Sequence, residues 1–230
     1  MNEIVGEFEE GWQRFLASDS VRLLQETLEW EWTRGRTDYL AFLVQPSEEA
    51  VLSHIGRVTE ALAGIPGVEP YPQRYWHVTI KGVGFLVDEP SREDEVSPAE
   101  AQRIQDAARP LLESHAPFAA TIGRVNAFAE VVYLEVLDGG IIRSLNEHLL
   151  EGVPGIQRQP VDGRYFLPHI SIARFSSAKG LPQLKDTLAR MRDDPTPGPA
   201  MQVRDALLVQ ARLGEEAPRF DLLALYELGA

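Results

Sequence analysis

His77-Val78-Thr79-Ile80 and His169-Ile170-Ser171-Ile172 share one pattern: a histidine, an apolar residue, a hydroxyl residue and a second apolar residue. In a β-strand, successive side chains point to opposite faces, so residues i and i+2 share a face. Each histidine is therefore predicted to project beside its hydroxyl, with the apolar residues buried behind. Two such strands lining one cleft would offer an acid, a base and two neutral hydrogen-bond donors, a set suited to a phosphate ester.

The surroundings of the two motifs are also related by their spacing of 92 residues (169 − 77 = 92). The same offset carries Tyr39, at the start of a predicted strand, to Val131 inside another predicted strand. The offset of 92 residues also relates Glu48, at the start of one predicted helix, to Gly140, at the start of another. Strand, helix, motif strand, helix and strand thus recur in one order, which predicts a duplicated unit.

The predicted fold class is α+β, with antiparallel-rich sheets lining a central cleft and helices outside. An N-terminal helical extension is expected over residues 1–36, followed by a bilobal domain over 37–230. The lobes are expected at roughly 37–127 and 128–230, related by a pseudo-twofold axis and with strand exchange between them allowed.

Composition excludes several classes of protein. The chain has 230 residues, of which 44% are hydrophobic, a net charge of −13 and no cysteine, which excludes disulfides and thiol catalysis. The negative charge argues against extended binding to duplex nucleic acid, where affinity comes from neutralising phosphates. No apolar run is as long as a membrane span, and the acidic start lacks the layout of a signal peptide. We expect a cytoplasmic monomer with no membrane contact.

Five further residues near the motifs are candidates for substrate binding. Lys81 continues the face of the first motif and is predicted to place a cation at the cleft, with a solvated surface lysine as the alternative. Arg174 falls on the opposite face by simple alternation, so it reaches substrate only if a β-bulge redirects it. Tyr75, Tyr165 and Phe166 flank the motifs and are candidates for stacking on a base, with core or rim packing as the alternative.

Neither a metal nor an organic cofactor is expected. Two histidines without a matched Asp, Glu or Cys cluster are a poor ligand set. The chain also lacks the Gly-rich loop GxxxxGK[ST] that cradles the phosphates of ATP.

Both motifs carry a family resemblance. The segment Phe166–Arg174, read as FLPHISIAR, and the segment Tyr75–Ile80, read as YWHVTI, resemble the two motifs of the 2H phosphoesterase superfamily. The likeness is greatest to its bacterial branch of 2′,5′ RNA ligases and 2′,3′-cyclic phosphodiesterases, and it extends over roughly residues 38–228. The N-terminal helical region and the acidic loop at 88–95 lie outside the usual pattern.

This resemblance implies a chemistry for the motif residues. His77, Thr79, His169 and Ser171 would open a 2′,3′-cyclic phosphate, or a related cyclic or 2′,5′-linked phosphodiester of a nucleotide or RNA end, without a metal. We favour His169 as base and His77 as acid, with the roles exchanged in the ligating direction. The alternative is a non-catalytic protein of the same fold that binds nucleotides or RNA ends.

Overall fold

A computed structural model describes residues 3–23, 32–163, 166–213 and 217–229. The helices in these ranges are α1 (Glu3–Ala17), α2 (Glu49–Leu62), α3 (Pro98–Glu113), α4 (Ile141–Gly152) and α5 (Leu181–Arg192). The strands are β1 (Asp38–Val44), β2 (Val68–Pro70), β3 (Val78–Leu86), β4 (Glu95–Val96), β5 (Phe118–Ala127), β6 (Val131–Leu137), β7 (His169–Phe175), β8 (Ala200–Val203), β9 (Asp205–Arg212) and β10 (Arg219–Glu227).

The strands form one ten-stranded sheet whose main path runs β10-β9-β1-β3-β7-β6-β5-β8. All neighbours on this path are antiparallel, β2 pairs with β7, and the short β4 runs parallel to β3. The fold is therefore α+β, as the sequence predicts. The motif strands β3 and β7 are adjacent at the middle of the path, and this adjacency positions the site.

The two halves of the sheet do not coincide with the two halves of the sequence. The late strands β9 and β10 extend the sheet from β1, whereas β5 pairs with β6 and β8. Helices α2 and α4 begin 92 residues apart, at Glu49 and Ile141, in agreement with the offset between the motifs. Duplication of an ancestral unit stays a prediction.

One face of the sheet packs against helices and forms the main core. Leu40, Phe42, Ile80 and Ile170 have no exposed surface on this face, and they belong to one apolar cluster with residues of α2, α4 and α5. Burial of such large apolar side chains is the main favourable contribution to folding. Because the core occupies this face, the alternate residues of β3 and β7 are left for the opposite face.

Local sequence determines where several elements begin and end. Ser97 accepts a hydrogen bond from the backbone N–H of Glu100, whose carboxylate accepts one from the N–H of Ser97, so α3 begins at Pro98. Strands β8 and β9 follow each other closely in the sequence but are separate, because β8 pairs with β5 and β9 pairs with β1.

The structure describes part of the N-terminal region and the whole of the acidic loop. In the helical extension expected over residues 1–36, α1 ends at Ala17, and residues 24–31 lie outside the described part of the chain. The acidic loop at 88–95 is attached at its end to Arg36, which forms ion pairs with Asp94 at 2.8 Å and Glu95 at 3.0 Å. Among the described helices, none combines the length and apolarity needed to cross a membrane.

Candidate active site

The motif strands meet at one point, where Val78 of β3 lies opposite Ile170 of β7 in an antiparallel pair. Both side chains are fully buried in the core. Since residues alternate between faces along each strand, the histidine and hydroxyl residue on either side of this pair project to the opposite face. All four are partly exposed there, so the structure brings the four motif side chains together.

The strand register fixes the arrangement of these four side chains. Continuing the pairing by one residue in each direction places His77 opposite Ser171 and Thr79 opposite His169. Side chains opposite each other in an antiparallel pair have Cβ atoms about 5 Å apart, and diagonal neighbours about 7 Å. The two imidazoles therefore lie on a diagonal, each beside the hydroxyl of the other motif.

Both imidazoles are oriented by the same backbone hydrogen bond. The Nδ1 of His77 donates to the carbonyl oxygen of Tyr75 at 2.5 Å, and the Nδ1 of His169 donates to that of Leu167 at 2.7 Å. Because a carbonyl oxygen can only accept, each Nδ1 carries a proton. In the neutral ring the other nitrogen, Nε2, is then a free base, directed away from the main chain.

Aromatic rings surround each histidine on two sides. Every one of these rings meets an imidazole in a steeply inclined, edge-on arrangement with centroids 4.8–5.1 Å apart, which favours a single ring orientation. The neighbours of His77 are Tyr75 and Phe220, and those of His169 are Phe128 and Tyr133.

The apolar surroundings also change the acidity of the imidazoles. Burial lowers the pKa of His77 to about 4, against the opposing effect of the Tyr75 carbonyl, and repulsion from His169 lowers this pKa further. Burial likewise lowers the pKa of His169, against the effect of the Leu167 carbonyl. Both rings are thus neutral in the empty site near pH 7. An anionic phosphate between them favours the charged form and raises both pKa values.

Thr79 and Ser171 supply the hydroxyl groups of the site. Neither hydroxyl is hydrogen-bonded to another group in the part of the chain that the structure describes. Each is partly exposed on the face that carries the histidines. Both can therefore donate to the oxygens of a bound anion.

Lys81 lies in the core and not in the cleft, contrary to the prediction. A β-bulge in β3 sets Thr79 opposite Leu43 but Lys81 opposite Phe42, so Ile80 is an extra residue and the alternation reverses after it. Lys81 thereby joins the core face with Phe42 and has no exposed surface. Its ammonium group forms an ion pair with the carboxylate of Asp162 at 2.7 Å.

The buried ion pair belongs to a polar network that attaches residues 157–162 to β3. Lys81 also donates to the carbonyl oxygen of Gln157 at 2.9 Å. Asn146 of α4 donates to Asp162 at 3.0 Å and to the carbonyl oxygen of Ile80 at 2.9 Å. The network therefore joins α4, β3 and the loop that leads into the second motif.

Arg174 faces the site because of a second bulge. In β7, Ser171 lies opposite Tyr133 but Ala173 lies opposite Val132, so Ile172 is the extra residue. The reversal turns Arg174 to the face of Ser171. A β-bulge was the condition for a contact between Arg174 and substrate in the sequence analysis. Its guanidinium is held by Glu69, with Nε and Nη2 each 2.8 Å from Oε2.

The aromatic candidates occupy different positions. Tyr75 lies against His77 and orients it through its carbonyl oxygen. Phe166 is 8% exposed and lines a groove that also contains His169. Tyr165 lies outside the described residues, so its contact with a base stays a prediction.

Three ring neighbours of the histidines were not predicted: Phe128, Tyr133 and Phe220. Phe128 and Tyr133 belong to the turn and strand beside β7, and Phe220 belongs to the last strand of the chain. Their proximity depends on strand pairing over long sequence distances, for which no local pattern exists. In the described ranges, no group of three or more His, Asp or Glu side chains is placed to hold a metal ion.

A family model described as the 2′-5′ RNA ligase superfamily matches residues 45–215, about three quarters of the chain. This chain belongs to the 2′-5′ RNA ligase superfamily. The matched segment contains both motif strands, whereas α1 and β10 lie outside it. Comparison with curated proteins gave no match.

Solved structures share the fold of this superfamily member. TT0787 of Thermus thermophilus is 18% identical with a TM-score of 0.57, and the match covers 83% of this chain and 97% of that one. E. coli LigT complexed with NADP+ is 16% identical with a TM-score of 0.58, covering 85% and 100%. E. coli LigT complexed with 3′-AMP is 15% identical with a TM-score of 0.55, covering 84% and 98%.

Proposed function

We propose that this chain is a metal-independent phosphodiesterase that hydrolyses a 2′,3′-cyclic phosphate, or a related cyclic or 2′,5′-linked phosphodiester, of a nucleotide or RNA end. The observation that carries the proposal is the diagonal pair of imidazoles, each held by a carbonyl oxygen two residues earlier and each beside a hydroxyl. Superfamily membership supports phosphoesterase or ligase chemistry in general. The complexes of LigT with 3′-AMP and NADP+ support a nucleotide as the ligand.

The proposed reaction needs one neutral and one protonated histidine. His169, through Nε2, removes a proton from water as its oxygen forms a bond to phosphorus. His77 gives a proton to the ribose oxygen as the phosphorus–oxygen ester bond breaks. In the reverse, ligating direction the two residues exchange roles. Thr79 and Ser171 donate to the non-bridging oxygens, whose negative charge grows in the transition state.

The lowered pKa values predict an acidic optimum. kcat/KM reports the pKa values of the free site, and the active form has one proton on the pair of histidines, a state most populated between the two pKa values. Both values lie below the ordinary 6.5, and that of His77 is about 4. We therefore expect kcat/KM for 2′,3′-cyclic AMP to be greatest below the ordinary histidine pKa of 6.5 and to fall towards pH 8. Circular dichroism should first show that the protein is folded over the whole pH range. A maximum above pH 7 would then contradict the claim that these two histidines, with their lowered pKa values, control the rate.

Removal of a hydroxyl is expected to slow the chemical step rather than weaken binding. Thr79→Val and Ser171→Ala should each reduce kcat about 100-fold, as for loss of one donor to a developing oxyanion. Thr79→Ser keeps the hydroxyl and serves as the matched control, with kcat close to that of the wild type. Steady-state kinetics with 2′,3′-cyclic AMP distinguishes these cases, and an unchanged kcat in both deletion variants would exclude the hydroxyls from the mechanism.

A hydrolysis assay in EDTA tests the proposed function itself. Turnover of 2′,3′-cyclic AMP that persists after dialysis against EDTA is expected, because the two imidazoles perform both proton transfers. Binding of the cyclic nucleotide without turnover, at any pH between 4 and 8, would instead identify the protein as a non-catalytic nucleotide-binding member of the superfamily.

A further inference from the structure

Helix α1 forms one wall of a groove that reaches the second histidine. The groove has a volume of about 1040 Å³, and His169 is among its lining residues. Gly6, Gly11 and Arg14 line it from α1, and Phe128 and Phe166 line it from other parts of the chain. Since α1 lies outside residues 45–215, this wall is not part of the segment that the superfamily model matches.

The helix is held firmly beside the site. Arg143 forms an ion pair with Glu7 of α1 and also donates to the carbonyl oxygen of Phe166 at 2.9 Å. The buried side chain of Asn126 donates to the carbonyl oxygen of Phe8 at 2.9 Å. These contacts connect α1 to the strand β5 and, through Arg143, to the segment before the second motif.

Glycine at position 6 keeps the groove open. Glycine inside a helix lowers helix stability, so its presence calls for a local reason. Crowding is not the reason at Gly6, because a Cβ built there meets nothing within 4 Å. At Gly11 the nearest atom is the Tyr133 hydroxyl at 3.7 Å, an ordinary contact. The missing side chain at position 6 therefore leaves space in the groove that packing does not require.

Two of the residues that line the groove outside α1, Phe128 and Phe166, are aromatic. Phe128 stacks on Tyr133 with centroids 4.1 Å apart and meets His169 edge-on at 5.1 Å. Phe166 is held at its backbone by Arg143. Aromatic side chains of this kind accept the flat face of any base.

We propose that the groove binds the nucleobase of the substrate and that Gly6 is a specificity-determining position. The inference rests on the proposed function, because it takes the phosphate to lie at His77 and His169. A nucleoside attached to that phosphate extends from His169 into the groove lined by α1, Phe128 and Phe166. The preferred substrates are thus nucleoside cyclic phosphates, and the base contributes to binding.

Filling the groove at position 6 tests this inference. Gly6→Trp should lower kcat/KM for 2′,3′-cyclic AMP by about tenfold or more, the scale of one lost base–aromatic contact. The same variant should leave kcat/KM within about twofold for methyl ribofuranoside 2′,3′-cyclic phosphate, which has no base. Gly6→Ala is the matched control for loss of a helical glycine, and Val5→Trp, at a 40% exposed position outside the groove lining, is the control for a surface tryptophan.

Two outcomes would overturn the inference: no loss with 2′,3′-cyclic AMP, or equal losses with the two substrates. Failure of the proposed function is distinguishable, because the wild type would then turn over neither substrate. In that case calorimetry with adenosine 3′-phosphate decides. Binding that is weakened about tenfold by Gly6→Trp supports the base site, whereas unchanged binding, or no binding to the wild type, overturns it.

Discussion

His77→Ala and His169→Ala are each expected to reduce kcat for 2′,3′-cyclic AMP by about 10²- to 10⁴-fold, the usual contribution of a positioned acid or base. The loss should be mainly in kcat, because each imidazole acts on a proton that moves in the transition state. The double variant should be little worse than either single one, since the two groups act as a unit.

The control for the histidine variants is His148→Ala. His148 is exposed on α4 and its ring contacts His115, away from the site, so its removal should leave kcat unchanged. Undiminished turnover in either His77→Ala or His169→Ala would contradict the two-histidine mechanism. Equal losses in all three variants would point to damage to the fold.

Lys81→Met is expected to lower the free energy of unfolding by about 3–5 kcal/mol, the cost of leaving one partner of a buried ion pair uncompensated. Asp162 is 5% exposed and would lose the ammonium group that lies 2.7 Å from its carboxylate. Urea denaturation followed by circular dichroism measures this change. The loop between α4 and β7 should also become more susceptible to proteolysis, because the network attaches it to β3.

A double variant distinguishes the effect of the uncompensated charge from the effect of the changed packing at position 81. Lys81→Met combined with Asp162→Asn removes both charges, so it should recover part of the lost stability. Lys179→Met, at an exposed position, should stay within about 0.5 kcal/mol of the wild type. A Lys81→Met variant as stable as Lys179→Met would show that the ion pair contributes nothing to the fold.

The central part of the site was predictable because it depends on a short-range rule. Within each motif only two positions separate the histidine from the hydroxyl, and strand alternation holds over that distance. The structure accordingly places His77 with Thr79 and His169 with Ser171 on the face opposite the core. The prediction that the two strands share a cleft came from the matched offset, since both strands occupy equivalent places in their units.

The same rule fails one residue beyond each hydroxyl. Bulges at Ile80 and Ile172 reverse the alternation, so Lys81 enters the core and Arg174 faces the site. A bulge is set by how a strand pairs with its neighbour, and the neighbours here are β1 and β6, which are distant in sequence. No feature of the motif strands alone indicates the reversal.

The aromatic neighbours of the histidines could not be predicted either, because their positions depend on pairing between strands that are distant in sequence. Phe220 reaches His77 only because β9 joins β1 and carries β10 with it, and Phe128 reaches His169 only because β6 lies beside β7. The amphipathic sequence of α1 predicts a helix, but its position over β5 and β6 depends on contacts such as that of Asn126 with Phe8.

The central claim is that one phosphate lies between the two imidazoles, and a crystal structure with adenosine 3′-phosphate tests it most directly. The account predicts phosphate oxygens within about 3.2 Å of Nε2 of both His77 and His169, with the hydroxyls of Thr79 and Ser171 on the remaining oxygens. A phosphate that contacts only one imidazole, or that binds away from both, would contradict it.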